Sequence, residues 1–577
     1  MRGINVIWEG PMKLKAADAA AATARSPINW FLGICLAAFL TAISASEAAP
    51  QTGAGGLNPA EQWIVAQATA GEIADLSKKF PKEKDRKLSA RFVEGLLMGA
   101  LPGFKPHRNG VRIIGAIIDE PIDLENAQIR SQVGLDHCQF NKNVTFYRAS
   151  FAEFVSFENG AFKAEANFQS MKVGGDASFN NAVFDGPVNF VGADISSNFQ
   201  ANGARFQNKE QGANFNSIKV GHTAFFSNVV FDGPVNFIAA DIASNFEAFN
   251  AQFKNMATFN SMKVGGHALF NNAVFEGLTD FSFANIVGSF AAGEAQFKNM
   301  ATFTSLKVGG NTYFQKAIFD GPVDFIMAEF GSWYGQEAKF QNKEQRAIFD
   351  SLKVRGDAYF TDAVFEGPVS FDYADFAWLD LSSSFRPTAA APFHMQGMSY
   401  KYIRAVPDNE PESHKALLKL ADQSVYTADV YSRLEEFFLR QGYRNDADRA
   451  FIAGKRRERK ENLHGMYWLG SWLLDGLVGY GRRPWQAGIP CAALVALGCI
   501  LFSPEKMEPQ KPEDAPRVYS RFWYRLGLFL PFVDLQADKV WKPKADQTFL
   551  RNYMRVHIML GWILIPIVLA ALTGLIK

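Results

Sequence analysis

Large apolar residues recur along the middle of the chain at a spacing that alternates between five and six residues. The pattern runs without a break from Leu124 to Ile195, and it resumes at Phe215 and again at Phe259. An amphipathic helix repeats its apolar residues at three and four, and a strand at two, so neither element explains this spacing. The pattern predicts a solenoid in which each short segment sends one side chain inward and then turns a corner.

A longer repeat lies over the short one. Lys-Val-Gly-type steps begin at Lys172, Lys219, Lys263, Lys307 and Lys353, at intervals of 47, 44, 44 and 46 residues. Forty-four residues hold eight short units, which we divide into two coils of four, so the repeat predicts a four-sided β-solenoid with about 22 residues per coil. The longer intervals contain the polar insertion Gln-Asn-Lys-Glu-Gln, and we expect it to form a surface loop that leaves the inward ladder in phase.

The predicted fold class is mainly β, with the solenoid over residues 111–385 and helical segments before and after it. Counting inward positions gives about eleven coils and a rod on the order of 55 Å long. The predicted core of the rod consists of phenylalanines that share the inward position. They are Phe168, Phe179, Phe184, Phe190, Phe215, Phe231, Phe237, Phe259, Phe275, Phe281, Phe303, Phe319, Phe325, Phe349, Phe365 and Phe371.

The repeat units carry a family resemblance. Ala-Asn-Phe-Asn-Ser, Ala-Val-Phe-Asp-Gly and Ala-Thr-Phe-Asn-Ser resemble the Phe-centred variant of bacterial pentapeptide-repeat proteins, although the usual period of that family is strictly five. The order of repeats, helical hairpin, the motif from Gly479 to Pro484 and paired apolar segments resembles the membrane-associated members. The resemblance implies a pentapeptide-like β-solenoid with C-terminal transmembrane helices, and it implies little about activity.

Residues before the solenoid divide into two parts. Residues 1–46 contain an apolar run after four basic residues, and this anatomy predicts a signal peptide, with an uncleaved signal anchor as the open alternative. Residues 57–105 predict two helices. Because the open coil of a solenoid needs a terminal cover, we expect these helices to form an N-terminal cap.

Residues after the solenoid predict a linker at 386–412, a helical hairpin at 413–463 and a membrane domain at 464–577. Two apolar segments of the membrane domain, at about 486–502 and 556–576, are long enough to be transmembrane helices. Shorter apolar segments between and before them predict interfacial helices. The basic run from Lys455 to Lys460 predicts a solvated or lipid-facing surface, which we favour over nucleic-acid binding.

The formal net charge is +1, but the charge is unevenly placed. Residues 111–385 hold 19 Lys and Arg against 30 Asp and Glu, a net charge of −11, whereas residues 386–577 have a net charge of +8. The loop at 503–555 between the two apolar segments carries ten Lys and Arg. The positive-inside rule therefore predicts a multi-pass protein of the bacterial inner membrane, with its solenoid in the periplasm.

No motif in the sequence predicts catalysis, a cofactor or a metal site, and four cysteines are too few for a disulfide framework. His222 and His267 follow equivalent Lys-Val-Gly steps but lie one residue out of register with each other. The positions that match His267 hold Asp, Thr and Asn, so we interpret this column as a polar corner of the solenoid. We therefore expect no enzyme activity.

The segment Val478 to Gly481 has the letters of a potassium-channel filter. Such a pore also needs a spanning helix ahead of the pore helix, and residues 390–467 are a charged helical region without one. We interpret the segment as a turn that leads into the first apolar helix.

The leading functional hypothesis is a non-catalytic, membrane-tethered scaffold whose solenoid binds a protein. Its expected partners are the lipid bilayer and an unidentified protein on a solenoid face. A homo-oligomer is an open alternative, and no nucleic acid is expected if the solenoid is exported. Two other functions stay open, namely a channel or transport accessory built from the C-terminal helices, and a DNA mimic that binds gyrase if the solenoid is cytoplasmic.

Overall fold

The computed structural model describes residues 56–382, 392–406, 409–511, 513, 518–530, 532–533 and 537–573. The predicted signal segment at 1–46 lies outside the described residues. Residues Leu57–Lys577 belong to one compact unit.

The central part of the chain is a four-sided parallel β-solenoid, as the alternating spacing predicts. Strands on each side pair in parallel with the strand one coil later, for example Ser150 with Lys172 on side 1 and Ala166 with Val188 on side 4. The step between partners is 22 residues in both pairs. The predicted four-sided cross-section is therefore confirmed.

The four sides contain the following strands. Side 1 contains Gln128–Ile129, Ser150–Phe151, Lys172–Val173, Asp194–Ile195, Lys219–Val220, Asp241–Ile242, Lys263–Val264 and Asn285–Ile286. Side 2 contains Ala74–Asp75, Val111–Ile114, Val133–Asp136, Val155–Ser156, Ala177–Ser178, Phe199–Gln200, Ala224–Phe225, Phe246–Glu247, Ala268–Leu269 and Phe290–Ala291. Longer strands then run across sides 1 and 2 together, at Lys307–Tyr313, Glu329–Tyr334, Lys353–Tyr359, Asp375–Asp380 and Ser399–Arg404.

The other two sides have thirteen strands each in the described chain. Side 3 contains Lys87–Leu88, Ile117–Ile118, Gln139–Phe140, Ala161–Phe162, Val183–Phe184, Arg205–Phe206, Val230–Phe231, Gln252–Phe253, Val274–Phe275, Gln296–Phe297, Ile318–Phe319, Lys339–Phe340 and Val364–Phe365. Side 4 contains Ile122–Asp123, Val144–Thr145, Ala166–Asn167, Val188–Asn189, Ala213–Asn214, Val235–Asn236, Ala257–Thr258, Thr279–Asp280, Ala301–Thr302, Val323–Asp324, Ala347–Ile348, Val369–Ser370 and Phe393–His394. The rod thus has about thirteen turns rather than the eleven counted from the sequence.

The two extra turns come from both ends of the rod. At the start, Lys87–Leu88 pairs with Ile117–Ile118, so the cap itself supplies a strand. At the end, Phe393–His394 and Ser399–Arg404 pair with the preceding coil. These last strands lie within the range predicted as a linker at 386–412, and this prediction is therefore corrected. The inward spacing is lost there because the step from Val369 to its partner Phe393 is 24 residues rather than 22.

The polar insertions leave the ladder in phase, as predicted. Val188 pairs with Ala213 across 25 residues rather than 22, and the rings of Phe206 and Phe231 still stack with centroids 4.7 Å apart. Asn208 closes the inserted loop because its side-chain oxygen accepts hydrogen bonds from the amides of Gln211 and Gly212.

The core of the rod is built from stacked columns of phenylalanine. On side 3 from Phe140 to Phe365, and on side 4 from Phe146 to Phe371, one ring lies on the next in each coil, with centroid distances such as 4.6 Å for Phe253–Phe275 and 4.5 Å for Phe259–Phe281. Side 1 carries a column of mostly Val and Ile instead. Stacked rings bury large apolar area, and offset stacking adds to it.

The corners of the solenoid turn through left-handed backbone at non-glycine residues. Asn159, Ser170 and Asn181 have φ values of 54° to 56°, and the same conformation recurs about every eleven residues. Asn tolerates this region well, which explains its frequency at these places. The glycines of the Asp/Glu-Gly steps do not have left-handed backbone. They instead allow successive coils to approach closely. A Cβ on Gly186 would lie 2.3 Å from the carbonyl carbon of Ala164 in the preceding coil.

The solenoid lies between helical segments. The N-terminal cap consists of α1 (Pro59–Ala70), α2 (Leu76–Lys79), a 3-10 turn at Glu83–Arg86 and α3 (Ala90–Leu97). A capping box between Asn58 and Glu61 begins α1.

Three helices follow the solenoid, where the sequence predicts a two-helix hairpin at 413–463. They are α4 (Glu410–Gln423), α5 (Ala428–Arg440) and α6 (Arg444–Asn462). The hairpin corresponds to α5 and α6, and α4 was missed although Leu417, Leu420 and Ala421 form a buried stripe at helical spacing. The Tyr400 ring at the last coil meets Phe437 of α5 with centroids 5.5 Å apart, so this helical group packs onto the end of the rod.

The C-terminal region contains the remaining elements. They are α7 (Gly465–Val478), 3-10 turns at Gly479–Gly481, Pro484–Ala487 and Pro504–Lys506, α8 (Gly488–Leu501), α9 (Arg521–Phe529), α10 (Ala537–Val540), α11 (Thr548–Leu572) and an antiparallel pair, Met507–Pro509 with Trp541–Pro543. Two helical segments are long and apolar enough to cross a membrane, Pro484–Leu501 and Thr548–Leu572.

Candidate interaction surface

Side 4 of the solenoid exposes apolar side chains along both of its edges. On one edge, Met256, Leu278 and Met300 occupy equivalent positions in three successive coils, and each is at least 40% exposed. We call these three residues the methionine row. Successive strands are about 4.8 Å apart, so the row is a continuous stripe.

The opposite edge carries a second set, which we call the corner row: Phe283, Met327 and Tyr373. Their exposed fractions are 61%, 54% and 60%. The equivalent residues of the coils between them are serines, Ser305 and Ser351. Large side chains therefore recur on every second coil, about 10 Å apart.

The backbone at the corner row argues that these side chains are kept for a reason other than stability. Phe283 and Tyr373 have φ values of 60°, and Met327 has 55°. Bulky residues are uncommon in this left-handed region, whereas Asn and Gly occupy it easily. Exposed large residues in a costly conformation point to binding.

Between the two rows runs an outward column that is short and polar. It includes Asn236, Thr258, Asp280, Thr302 and Asp324. Asp280 Oδ1 accepts a hydrogen bond from the Ser282 amide at 2.8 Å, and its other oxygen accepts one from Asn260 Nδ2 at 3.2 Å. These carboxylates are turned toward their own backbone, so side 4 presents a flat strip with apolar borders.

The sixteen predicted core phenylalanines all occupy inward positions. Fifteen are buried with an exposed fraction of 2% or less, and Phe365, near the last coils, is partly buried. Those on side 4 lie beneath its surface and do not reach it. Neither apolar row was predicted from the sequence, although Phe, Met and Tyr recur at the same corner position in every second coil.

The polar corner predicted from His222 and His267 is a ladder of side chains that bind the backbone of the next coil. Asn245 Oδ1 accepts a hydrogen bond from the His267 amide at 2.9 Å, and His267 Nδ1 accepts one from the Ser289 amide at 3.0 Å. Ser289 Oγ then accepts one from the Asn311 amide. His267 therefore acts as a structural acceptor. No group of three or more His, Cys, Asp or Glu suited to a metal ion occurs in the described residues.

A second polar ladder lies near the N-terminal end of side 2, where a shallow cavity of about 570 Å³ is lined by Arg112, Asp136 and Glu158 among others. Asp136 Oδ1 accepts hydrogen bonds from Ser156 Oγ at 2.5 Å and from the Glu158 amide at 3.0 Å. Burial raises the pKa of the Asp136 carboxyl above its ordinary value, and the nearby Glu158 charge adds to this, against those hydrogen bonds. Equivalent positions further along the ladder hold Asn180 and Asn202.

The motif from Gly479 to Pro484 joins the helical group to the C-terminal helices. Arg482 forms ion pairs with Glu435 of α5 and Asp448 of α6, and its guanidinium lies 4.4 Å from the Phe451 ring centroid. Tyr480 accepts a hydrogen bond from Arg459 Nη1 at 3.0 Å. Val478 to Gly481 therefore forms a turn that is held against α5 and α6. This is the turn that the sequence predicts, rather than a potassium-channel filter.

The basic run from Lys455 to Lys460 is largely paired within the chain. Arg456 and Arg459 both bind Asp475 of α7, at 2.9 and 3.0 Å, and Arg457 pairs with Glu461. Arg456 and Lys460 of this run are nevertheless exposed, so the prediction of a solvated or lipid-facing basic surface stays a prediction. The missed signal was Asp475, the only acidic residue of α7.

The surface of α7 carries exposed apolar and aromatic side chains. Met466 and Tyr467 are about 80% exposed, and Trp468, Trp472 and Leu473 are between 42% and 52% exposed. Trp and Tyr beside apolar residues are typical of side chains at a membrane interface. Since α7 directly precedes the first apolar helix, these exposed side chains are suited to a bilayer surface.

Comparisons with family models, curated proteins and solved structures find no match to this chain. The fold described above therefore rests on the chain's own periodicity and geometry.

Proposed function

We propose that this chain is a non-catalytic, membrane-anchored scaffold that binds a protein along side 4 of its solenoid. The observation that carries the proposal is the pair of apolar rows, with the corner row held in an unfavourable backbone conformation. Met and aromatic residues are enriched at protein interfaces. A rod of stacked coils presents such rows at fixed spacing, since each coil is held by its neighbours.

The anchor in this proposal is the pair of apolar helices, with α7 lying at the bilayer surface. The Asp475 ion pairs support it, because they attach α7 to α6 while Tyr467, Trp468 and Trp472 of α7 stay exposed. The ten Lys and Arg between the two apolar segments favour a cytoplasmic loop. The proposed setting is thus a bacterial inner membrane, with the solenoid in the periplasm.

The Phe-centred units and the solenoid of about thirteen turns support a place among the pentapeptide-repeat proteins as part of the same proposal. The chain differs from the usual pentapeptide repeat in its 22-residue coil, whose steps alternate between five and six residues.

Photocrosslinking tests the binding surface. A photoreactive residue at position 278 or 283 in the full-length protein, expressed in its membrane, should crosslink to a defined protein band. The same residue at position 269, on side 2, is the control, because Leu269 is also an outward apolar residue. Equal bands from both sides, or none from side 4, would overturn the proposal.

A matched variant strengthens this test. Phe283→Ser places at the corner the residue that the adjacent coils already hold, so the fold tolerates it. The crosslink from position 278 should weaken in this variant, while Leu269→Ser should leave it unchanged.

A further inference from the structure

Arg525 is a fully buried arginine in the C-terminal region. It lies on α9, its exposed fraction is 0%, and its Nη2 donates a hydrogen bond to the Phe502 carbonyl at 2.6 Å. Its Nε and Nη1 are buried and have no hydrogen-bond partner among the described residues. Burying a charged group costs free energy unless it is paired, so this guanidinium calls for an anion.

Other polar groups around Arg525 are also unsatisfied within the described chain. His557 of α11 is fully buried, and both of its ring nitrogens lack partners, as does the Tyr553 hydroxyl. The His557 ring lies 5.5 Å from the Phe529 ring of α9 and 5.7 Å from the Tyr553 ring. Polar side chains of α9 and α11 thus come together without an acceptor for their protons.

The helices that surround Arg525 offer no counter-charge. Neither α8, α9 nor α11 contains an Asp or a Glu, whereas α9 and α11 together carry four arginines and one histidine. An ionisable residue buried among membrane helices is a functional-site hypothesis that requires a named partner. The partner of Arg525 must therefore come from outside these three helices.

An apolar cleft of about 500 Å³ lies beside Arg525. Its lining includes Cys491, Cys499, Phe522, Phe529 and Ile565, with almost no polar surface. Phe522 and Phe529 flank Arg525 at one helical turn on either side. On α8, Cys499 lines the cleft and the adjacent Gly498 touches Arg525, since a Cβ there would lie 2.9 Å from Arg525 Cδ.

The cleft is open to the surroundings of the helices. Ala492 and Ala496 on one wall and Phe522 on the other are exposed. In a bilayer, such a cleft between two apolar helices is accessible to acyl chains rather than to water. Its volume suits one chain of a phospholipid, and basic pockets between membrane helices bind anionic headgroups.

We propose that α8, α9 and α11 form a site for an anionic phospholipid. One acyl chain occupies the cleft, and the headgroup phosphate accepts hydrogen bonds from Arg525, with His557 as a second donor. Charge-assisted hydrogen bonds from a guanidinium to a phosphate are among the strongest in proteins. This inference rests on the membrane anchoring proposed above.

Native mass spectrometry and thermal unfolding of the full-length protein in detergent test the site. Phosphatidylglycerol should bind as a discrete adduct and raise the Tm, whereas phosphatidylcholine with the same chains and inorganic phosphate alone should do neither. If the two lipids have equal effects, the cleft binds acyl chains without selecting an anionic headgroup, and the proposal is overturned. An equal effect of phosphate alone would show a free-anion site and also overturn it.

Substitutions on one helix provide the matched control. Arg525→Gln should lower the affinity for phosphatidylglycerol by about tenfold or more, the factor that 1.4 kcal/mol represents. Arg521→Gln, one turn away and exposed, should leave the affinity unchanged. Equal losses in both variants would indicate general surface charge and overturn the proposal.

Two further measurements keep the test independent of folding defects in Arg525→Gln. Ala496→Phe fills the cleft but leaves Arg525 in place, and it should also prevent the lipid adduct. In the unsubstituted protein, bound phosphatidylglycerol should slow alkylation of Cys491 and Cys499. An adduct that survives Ala496→Phe, or alkylation that is unchanged by the lipid, would exclude the cleft.

Membrane fractionation separates this inference from the proposed function. A soluble wild-type chain would contradict the membrane anchor and the lipid site together. A membrane-bound chain that does not prefer the anionic lipid would contradict the lipid site only.

Discussion

The ring of Phe246 packs against the ring of Phe270 with centroids 5.4 Å apart and ring planes tilted by 31°, although the two residues do not occupy equivalent inward positions in their coils. Phe246 pairs with Ala268, and Ala248 is the equivalent of Phe270. Side 2 has two inward positions per coil, and from Phe179 to Phe360 the large residue changes from one to the other in each successive coil. Phe290, whose ring centroid lies 5.7 Å from that of Phe270, returns to the first position.

Exchanging Ala268 and Phe270 should therefore destabilise the rod without changing its composition. The double variant would place phenylalanine at the first inward position in three successive coils and alanine at the second, so one position is overpacked and the other is left with a cavity. We expect a cost of about 3–5 kcal/mol, measured by thermal unfolding of the full-length protein. Leu269→Ala, between them and outward, is the control. A double variant with the stability of the wild type would refute the alternation.

Phe281→Ala should cost about 3–5 kcal/mol, because its ring lies between those of Phe259 and Phe303 at 4.5 and 5.4 Å. Asn236→Thr should be nearly neutral, since Asn236 points outward and Thr258 occupies the same place one coil later. Chemical denaturation compares the two. Similar losses at both positions would contradict the inward register of side 4.

Asp136→Asn should stabilise the protein at neutral pH. Burial raises the pKa of the Asp136 carboxyl in the folded state, so the folded protein holds this proton more tightly than the unfolded chain. Ionisation therefore opposes folding as the pH rises above the ordinary pKa of an aspartate, and below it the penalty is absent. The asparagine side chain keeps an oxygen that can accept the hydrogen bonds from Ser156 Oγ and the Glu158 amide, and it cannot ionise.

The measurement is the Tm of Asp136→Asn and of the wild type at pH 4 and at pH 7. The advantage of the variant should be larger at pH 7. Glu294→Gln, at an exposed residue, is the control for loss of one charge. A wider advantage at pH 4 would reverse the assigned sign.

Arg482→Gln should loosen the connection between α7 and the helical group. Burial raises the pKa of Glu435, and Arg482 is the charge that opposes this rise. Without it, Glu435 and Asp448 face each other uncompensated, at a cost of about 1–3 kcal/mol. Hydrogen exchange of the amides in α5 and α6 should accelerate. Arg483→Gln, next in the chain, should leave the exchange rates unchanged. If the two variants behave identically, Arg482 does not hold α7 to the helical group.

The proposed topology predicts opposite results for two reporter fusions. Alkaline phosphatase joined after Asn462, before the first apolar helix, should be active, because the helical group would be periplasmic. Joined after Lys511, within the basic loop, it should be inactive. The reverse pattern would place the solenoid in the cytoplasm and revive the DNA-mimic hypothesis.

The solenoid, its four sides and its core could be predicted from the sequence alone, because a period of 22 residues is a local property that each coil repeats. Phe168 and Phe184 are recognisable as core residues from their spacing alone, since a step of five or six leaves each of them on the axis. The same count revealed the 44-residue repeat but not its cause. That cause is the contact between residues such as Phe246 and Phe270, which depends on how one coil lies on the next.

Contacts between distant residues of unlike sequence could be seen only in the folded protein. The pairing of Arg482 with Glu435 and the burial of Arg525 beside His557 have no periodic signal, because each depends on a single packing between helices. The strand at Phe393–His394 shows the same limit. Its place is set by pairing with the preceding coil, and the regular spacing of apolar residues is interrupted before it.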